Sequence, residues 1–544
     1  AQAQVHDGDV VPNNVAATAI GIGDANTKAL GENSTAIGNS ANVTSTGQNS
    51  KAIGNNVTVS EANSSATGNN VTVSGANSSA SGNNITVSGA NSSASGNNVT
   101  VLSANSSATG NNITLENHAY NNLLAMGNNI KVVHANSNAI GNNINVSHMN
   151  ASAIGNNISV SNLKSAAIGN DINVSGKTSF AMGNNVTISE EKTLAIGSDV
   201  NGRYANSVLI GDSTGNYGGT TGSRNILIGQ GAQVGDSTSV VRVNQSIAIG
   251  AGINSDKVAK FTGDNSIYSI TEGAWARGDQ SIAIGGNVIS YGNASVAIGG
   301  DDTDKAAATQ TTYINTNGQD KTGTVQQAFK DLTGGDLQTP RWVNTIAGEA
   351  AVSLGTKTRS GDLSLALGAL AAAQKTNAVA VGTGANATLS NSVALGGGSA
   401  TDREGKAHES YTFLGNTYSW AGGKKVIAGD VVSIGKEGYE RQLINLAPGN
   451  VSGTSTDAIN GSQLYSAFKA IEAVNLTTAG NTGTGAVNLA TQSLNITGSN
   501  GLTTVATDNG IEVKIDDATR KKIDAVSSAK EVSASVSNCS FCHT

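Results

Sequence analysis

A parallel β-solenoid is the fold class this sequence predicts, and three observations predict it. A small-apolar-glycine signature returns every 14 residues at Gly54, Gly68, Gly82, Gly96 and Gly110. After one step of 17 it continues at Gly127, Gly141, Gly155, Gly169, Gly183, Gly197 and Gly211. Between the glycines, apolar and polar residues alternate, as in Val57-Thr58-Val59-Ser60, the pattern of a half-buried strand. The composition is narrow, with 38% apolar, 3% aromatic and 13% charged residues and 68 Gly in 544. That is too apolar for disorder and too poor in rings and charges for one large mixed core. Fourteen residues cannot hold a two-helix repeat, which needs over about 30. They suit one coil of two short strands and two turns.

The same composition excludes several functions. No run of roughly 20 apolar residues exists, so no helix is expected to span a membrane. The charge of −7 lacks the basic footprint of a nucleic-acid binder. Two Cys rule out a disulfide scaffold. No Ser/His/Asp or Cys/His set stands out, so neither an enzyme nor a cofactor is expected.

Along the chain, residues 1–30 read as an N-terminal cap and 31–212 as regular coils. Each glycine is expected at a φ > 0 corner or a close backbone approach. The Asn pairs that follow, such as Asn55-Asn56, tolerate left-handed geometry. Thirteen coils from Gly38 to Gly211, at about 4.8 Å per rung, predict a rod of roughly 60 Å. One coil buries little, so neighbouring coils and neighbouring chains are expected to complete the core. Before the glycine stand Thr67, Ser81, Ser95 and Thr109, where later coils have Met126, Ile140 and Ile154. If that column faces inward, four rungs bury hydroxyls, and a ladder bonded to backbone or to other chains is predicted.

Residues 213–300 read as roll with loop insertions, 301–347 as a long insertion and 348–400 as roll again. The insertions gather aromatics that the regular coils lack. Phe261, Tyr268 and Trp275 lie in the first, and Tyr313, Phe329 and Trp342 in the second. A short helical pattern runs through Val325, Phe329 and Leu332. Interfaces concentrate energy in such rings, and solenoid insertions often form the binding face. These six are therefore the candidate binding residues. The alternative is that they pack on their own roll or clasp an adjacent chain.

Weaker patterns have plainer readings. His134 and His148 are one period apart and should stack; they suit a metal or a titration near pH 6.5, or are simply exposed turn residues. Asp301-Asp302-Thr303-Asp304 offers carboxylates for Ca²⁺ but lacks the Gly and distal Glu of an EF-hand loop, so a solvated loop entrance is expected. Sequons such as Asn56, Asn63 and Asn70 follow from an Asn/Ser/Thr-rich repeat. Cys539-Ser540-Phe541-Cys542-His543 fits the c-type haem pattern. With one residue following and no pocket in a stalk, it fits a terminal tail or an interchain disulfide better.

The Ala-Ile-Gly coils resemble the head of YadA-like trimeric autotransporter adhesins. A more specific match lies downstream. Tyr411-Thr412-Phe413 through Ser419-Trp420-Ala421-Gly422 resembles that family's terminal head segment. Val431-Val432-Ser433-Ile434-Gly435 and Glu440-Arg441-Gln442-Leu443-Ile444-Asn445-Leu446-Ala447-Pro448-Gly449 are similar to its neck entry. Thr456-Asp457-Ala458-Ile459-Asn460-Gly461-Ser462-Gln463-Leu464-Tyr465 continues into its neck helix. The resemblance implies a homotrimer of left-handed parallel β-rolls and divides the rest of the chain. Residues 401–450 become the head end and neck entry, 451–475 the neck helix, 476–515 a small β-rich stalk module and 516–544 the start of a coiled-coil stalk.

The neck also reads from its residues. Leu464, Phe468 and Ile471, spaced +4 and +3, form a coiled-coil seam and are the expected trimer core. Leu494–Thr497 and Ile511–Ile515 alternate as strands, and Asp516-Asp517-Ala518-Thr519 opens a helix holding Ile523 and Val526.

The family implies an outer-membrane anchor, but no alternating ten-residue strands precede the C-terminus. The chain therefore reads as a passenger without its anchor. Implied with the resemblance are adhesion at the bacterial surface and multivalent binding of a collagen-, laminin- or fibronectin-type matrix protein or a CEACAM-type receptor. Autoagglutination or a passive spacer is the alternative.

Overall fold

The computed structural model describes residues 15–116, 121–215, 222–235, 242–252, 273–340 and 343–537, the last with side chains to 528. The chain forms two units. One is Ala1–Ala407 with Lys425–Arg441, and the other is His408–Lys424 with Gln442–Thr544.

The first unit is a parallel β-solenoid. Lys51–Val59, Ser65–Val73, Ser79–Val87, Ser93–Val101 and Ser107–Leu115 each pair in parallel with the next. Like residues face like, so Ala52, Ala66, Ala80, Ala94 and Ala108 form one column. The 17-residue step leaves the register intact, with Gly110 opposite Gly127. In these coils the two expected short strands are continuous, one nine-residue strand bent at its glycine. Among the described residues the coils join a 26-stranded sheet, and later ones add a separate six-stranded parallel sheet from Gln233–Val234 to Ala372–Ala373.

Left-handed residues bend each coil. In one coil they are Gly54 at φ +129°, Asn56 at +53° and Asn63 at +57°. A side chain at Gly54 would put its Cβ 1.8 Å from the Gly68 carbonyl oxygen. Both reasons expected for the glycine therefore apply together. Asn accepts the other two corners because its short amide tolerates this region.

The core is narrow. Ala66, Val71 and Val73 are fully buried within one chain, and the same three positions are buried coil after coil, with Ile in place of Val71 in several. After Ala366 the core cluster consists of alanines alone. Thr67, Ser81, Ser95 and Thr109 do not enter it. They are exposed, because the pleat that turns Ala66 inward turns Thr67 outward. The inward reading of that column is corrected accordingly. A buried hydroxyl ladder does exist, three residues earlier, at Ser64, Ser78, Ser92 and Ser106. Ser78 Oγ donates to the Gly89 carbonyl at 2.8 Å and accepts from the Ser92 N–H at 3.1 Å. Each serine thus joins two coils at the point where the Asn turn re-enters the strand.

The long insertion holds helix α1 (Asp304–Ala308), a hairpin (Gln310–Ile314 with Asp320–Thr324) and helix α2 (Val325–Thr333). Helix α2 matches the pattern expected at Val325, Phe329 and Leu332. Thr324 and Gln327 close a capping box at its start, and left-handed Gly334 ends it.

The second unit contains helix α3 (Gly461–Glu472), opened by an Asn460–Gln463 capping box, two antiparallel hairpins after it and helix α4 (Asp517–Ser537). Ile511–Ile515 is a strand as expected, within Gly510–Ile515. Leu494–Thr497 is not; Leu502–Thr507 takes the place opposite.

Candidate functional site

The structure separates the aromatic candidates. Trp275 sits in the strand Ala274–Ala276 of the six-stranded sheet, in register with Ile289 and then Ile346. It is 5% exposed, and its Nε1–H donates to the Gly235 carbonyl at 2.6 Å. Ring and N–H are both satisfied by the roll, so Trp275 packs on its own chain, the alternative its sequence position left open. Phe261, Tyr268 and Trp342 lie outside the described residues, as do Cys539, Cys542 and His543.

Tyr313 and Phe329 come together. They line a groove of about 770 Å³ with Val325, Leu332, Tyr439 and Arg441. The Tyr313 hydroxyl donates to Asp331 Oδ2 at 2.5 Å, and that bond, first among its surroundings, raises the phenol above its usual range. Phe329 faces Gly384, where an added Cβ would stand 2.5 Å from the ring. The groove thus lies between the insertion and the end of the roll.

Arg441 fixes that end. Its guanidinium donates to Ser399 Oγ at 2.8 Å and to the carbonyls of Ile434 at 2.7 Å and Gly397 at 2.5 Å. Beside it, backbone N–H groups, its own and that of Gly438, hold the Glu440 carboxyl below its usual range, with Arg403 adding to the effect. The resemblance marked this pair as neck entry without showing what it does.

A second candidate surface is the outward face of the long sheet. Met126, Ile140, Ile154, Ile168, Met182 and Ile196 stand in one column, each paired with the next. The column continues through Ile210, Ile228, Ile249, Ile284 and Ile298 to Leu395. Met126 is 49% exposed and Leu395 46%. Toward the N-terminus the column is broken by the hydroxyls of Thr67 to Thr109 and resumes with Ile53 and Ile37. On α3, Leu464, Phe468 and Ile471 are likewise exposed, and no residue of that helix is buried.

His134 and His148 do stack, with ring centroids 5.5 Å apart and planes at 36°. At the acidic run, Asp302 Oδ1 accepts the Asp304 N–H at 2.7 Å, which makes a turn into α1. Among the described residues, no three metal-ligating side chains cluster.

Residue-by-residue reading did not reveal the amide ladders. Asn56 Nδ2 donates to Asn70 Oδ1 at 2.8 Å, Asn70 to Asn84 at 2.9 Å, and so on to Asn157, whose amide meets the carboxylate of Asp171 at 2.5 Å. The fixed register of the second Asn in each pair was the signal.

A profile described as the YadA head domain repeat matches residues 14–41, 272–287, 276–301, 360–385 and 373–399. These segments are similar to YadA head repeats. "Autotransporter adhesin BtaE" of Brucella suis biovar 1 (strain 1330) is 42% identical over 66 residues, 12% of this chain and 8% of that relative. The C-terminal YadA-like domain of BPSL2063 from Burkholderia pseudomallei is 32% identical, over 30% of this chain and 66% of that one, with a TM-score of 0.17. The YadA-like repeats thus sit at both ends of the roll, and the regular Asn-rich coils lie between them.

Proposed function

We propose that this chain is the projecting part of a bacterial surface adhesin that works as a homotrimer. The outward apolar column from Met126 to Leu395 carries the reading. Water-exposed apolar surface on that scale marks an interface, and two further copies of the same face are its natural cover. Leu464, Phe468 and Ile471 offer the same kind of seam on α3. The adhesin relative points to a surface protein without catalytic activity.

Threefold symmetry would present three equal sites, so weak contacts sum to firm attachment. The ligand is a host matrix protein of collagen, laminin or fibronectin type, or a receptor such as a CEACAM. The groove at Tyr313 and Phe329 is the contact we favour.

Sedimentation of the purified chain tests the assembly, with a trimer expected. Leu464→Asp with Phe468→Asp should lower the association, and a folded wild-type monomer at micromolar concentration would end the proposal. For the ligand, Tyr313→Ala should reduce capture of surface-coated matrix proteins while leaving the trimer intact.

A further inference from the structure

Beneath the long insertion lies a second, smaller cavity of about 220 Å³. Arg359 and Lys357 both line it. Arg359 continues the row of Trp275, Ile289 and Ile346, where three apolar side chains give way to a cation. Its Nε is sealed from solvent and meets no acceptor among the described residues. Burial alone lowers its pKa.

The one carboxylate in the wall is already committed. Asp336 Oδ1 accepts from Gln326 Nε2 at 2.8 Å and the Gln338 N–H at 2.9 Å, and Oδ2 accepts from Thr339 Oγ1 at 3.1 Å. Lys357 is buried, and its Nζ donates to Thr303 Oγ1 at 2.9 Å, which ties the cavity to the start of α1. A half-buried guanidinium whose Nε meets no acceptor among the described residues is under-satisfied, and the group that best repays it is a planar carboxylate bound through two N–H donors.

The rest of the wall narrows the ligand. Gln374 and Asn386 supply amides, and Leu370 and Pro340 supply aliphatic surface. Hydrogen-bonding edges beside an apolar wall match a sugar ring, whose hydroxyls and C–H face differ in the same way. The volume is near that of a single ring.

We propose that this cavity binds the carboxylate of an acidic sugar and that Arg359 pairs with it. The proposal rests on the adhesin reading only for the source of the sugar, a host glycan.

Titration of the purified chain with galacturonic acid, galactose, inorganic sulfate and N-acetylaspartate, followed by calorimetry and ligand-observed NMR, tests it. Galacturonic acid should bind at least about tenfold more tightly than galactose, the worth of one charge-assisted contact, and more tightly than sulfate or N-acetylaspartate, which lack the ring. Arg359→Met should remove that preference without lowering the unfolding midpoint of the free protein, because an under-satisfied charge is lost. Asn386→Asp should also remove it, by supplying Arg359 with a carboxylate from within. Equal binding of sulfate would reduce the site to an anion hole, and equal binding of N-acetylaspartate would point to acidic peptides; either overturns the sugar. So would unchanged binding in both variants, or no binding of galacturonic acid. Adhesion of expressing cells is read separately. If it persists without sugar binding, the cavity proposal fails alone; if sugar binds and no cell adheres, the adhesin reading fails alone.

Discussion

Ser78 is a small side chain with a disproportionate task. Its hydroxyl closes one coil and accepts from the next, in a site that is almost fully buried. Ser78→Ala should cost about 1–3 kcal/mol, since a carbonyl and an N–H lose their partner together; denaturant unfolding measures it. Thr67→Ala, eleven positions earlier and exposed, should cost far less in the isolated chain. Gly96 is stricter still. At φ +134°, with the Gly110 oxygen 1.7 Å from any added Cβ, Gly96→Ala has no local remedy. Hydrogen exchange should then show a break in protection on both sides of that coil, and an unchanged protection pattern would contradict the close approach. The glycine corners and the Asn corners were legible in the sequence because each needs a backbone state few residues accept. Ser64 to Ser106 were not, because Ser in an Asn-Ser turn looks like ordinary turn chemistry.

At the scale of the element, the strand shows why the column before the glycines does not form the core. Ile154 is more apolar than Ala153, so pattern alone favours Ile inside. The pleat decides otherwise. Ala153, Ile158 and Val160 are buried, and Ile154, next to Ala153 on the opposite face, is left outside at 43% exposure. Alternation along the strand, not the hydrophobicity of one residue, sets which face turns in. The insertion shows the reverse case, where local signals sufficed: Thr324, Gln327 and Gly334 mark both ends of α2. Trp275 has to be judged by its strand. Trp275→Ala should destabilise the roll by about 3–5 kcal/mol, the cost of emptying a large buried site. Calorimetric melting should register the loss before any binding assay does. A variant that melts like the parent but binds less would restore Trp275 as a contact residue.

For the molecule as a whole, the column from Met126 to Leu395 separates folding from assembly. One chain buries its inward column of alanines, valines and isoleucines unaided, while the apolar column before the glycines stays outside. Covering an isoleucine completely is worth about 1.5–3 kcal/mol, so a shared face of this length favours association strongly. Ile154→Asp with Ile168→Asp should leave the circular dichroism of the chain unchanged and weaken its self-association in sedimentation. Loss of the β signal instead would place that column in the core after all. The hydroxyl stretch from Thr67 to Thr109 is the weak part of such a seam and should exchange amide protons faster than the coils on either side. The fold class was readable because every coil repeats one solution. The cavity at Arg359 was not, because it is assembled from an insertion, a strand and later coils that no spacing links.

The amide ladders all run one way, each Nδ2 aimed at the following coil and the last one described in its run ending on Asp171. Joints that are identical and oriented can be opened anywhere and closed again one unit further on. Length is therefore the one property of this protein that heredity can revise cheaply. A gene gaining or losing whole repeats would deliver a longer or shorter reach with both ends untouched, whereas an insertion of any other size must leave the strand register around it unchanged, as the 17-residue step before Gly127 does.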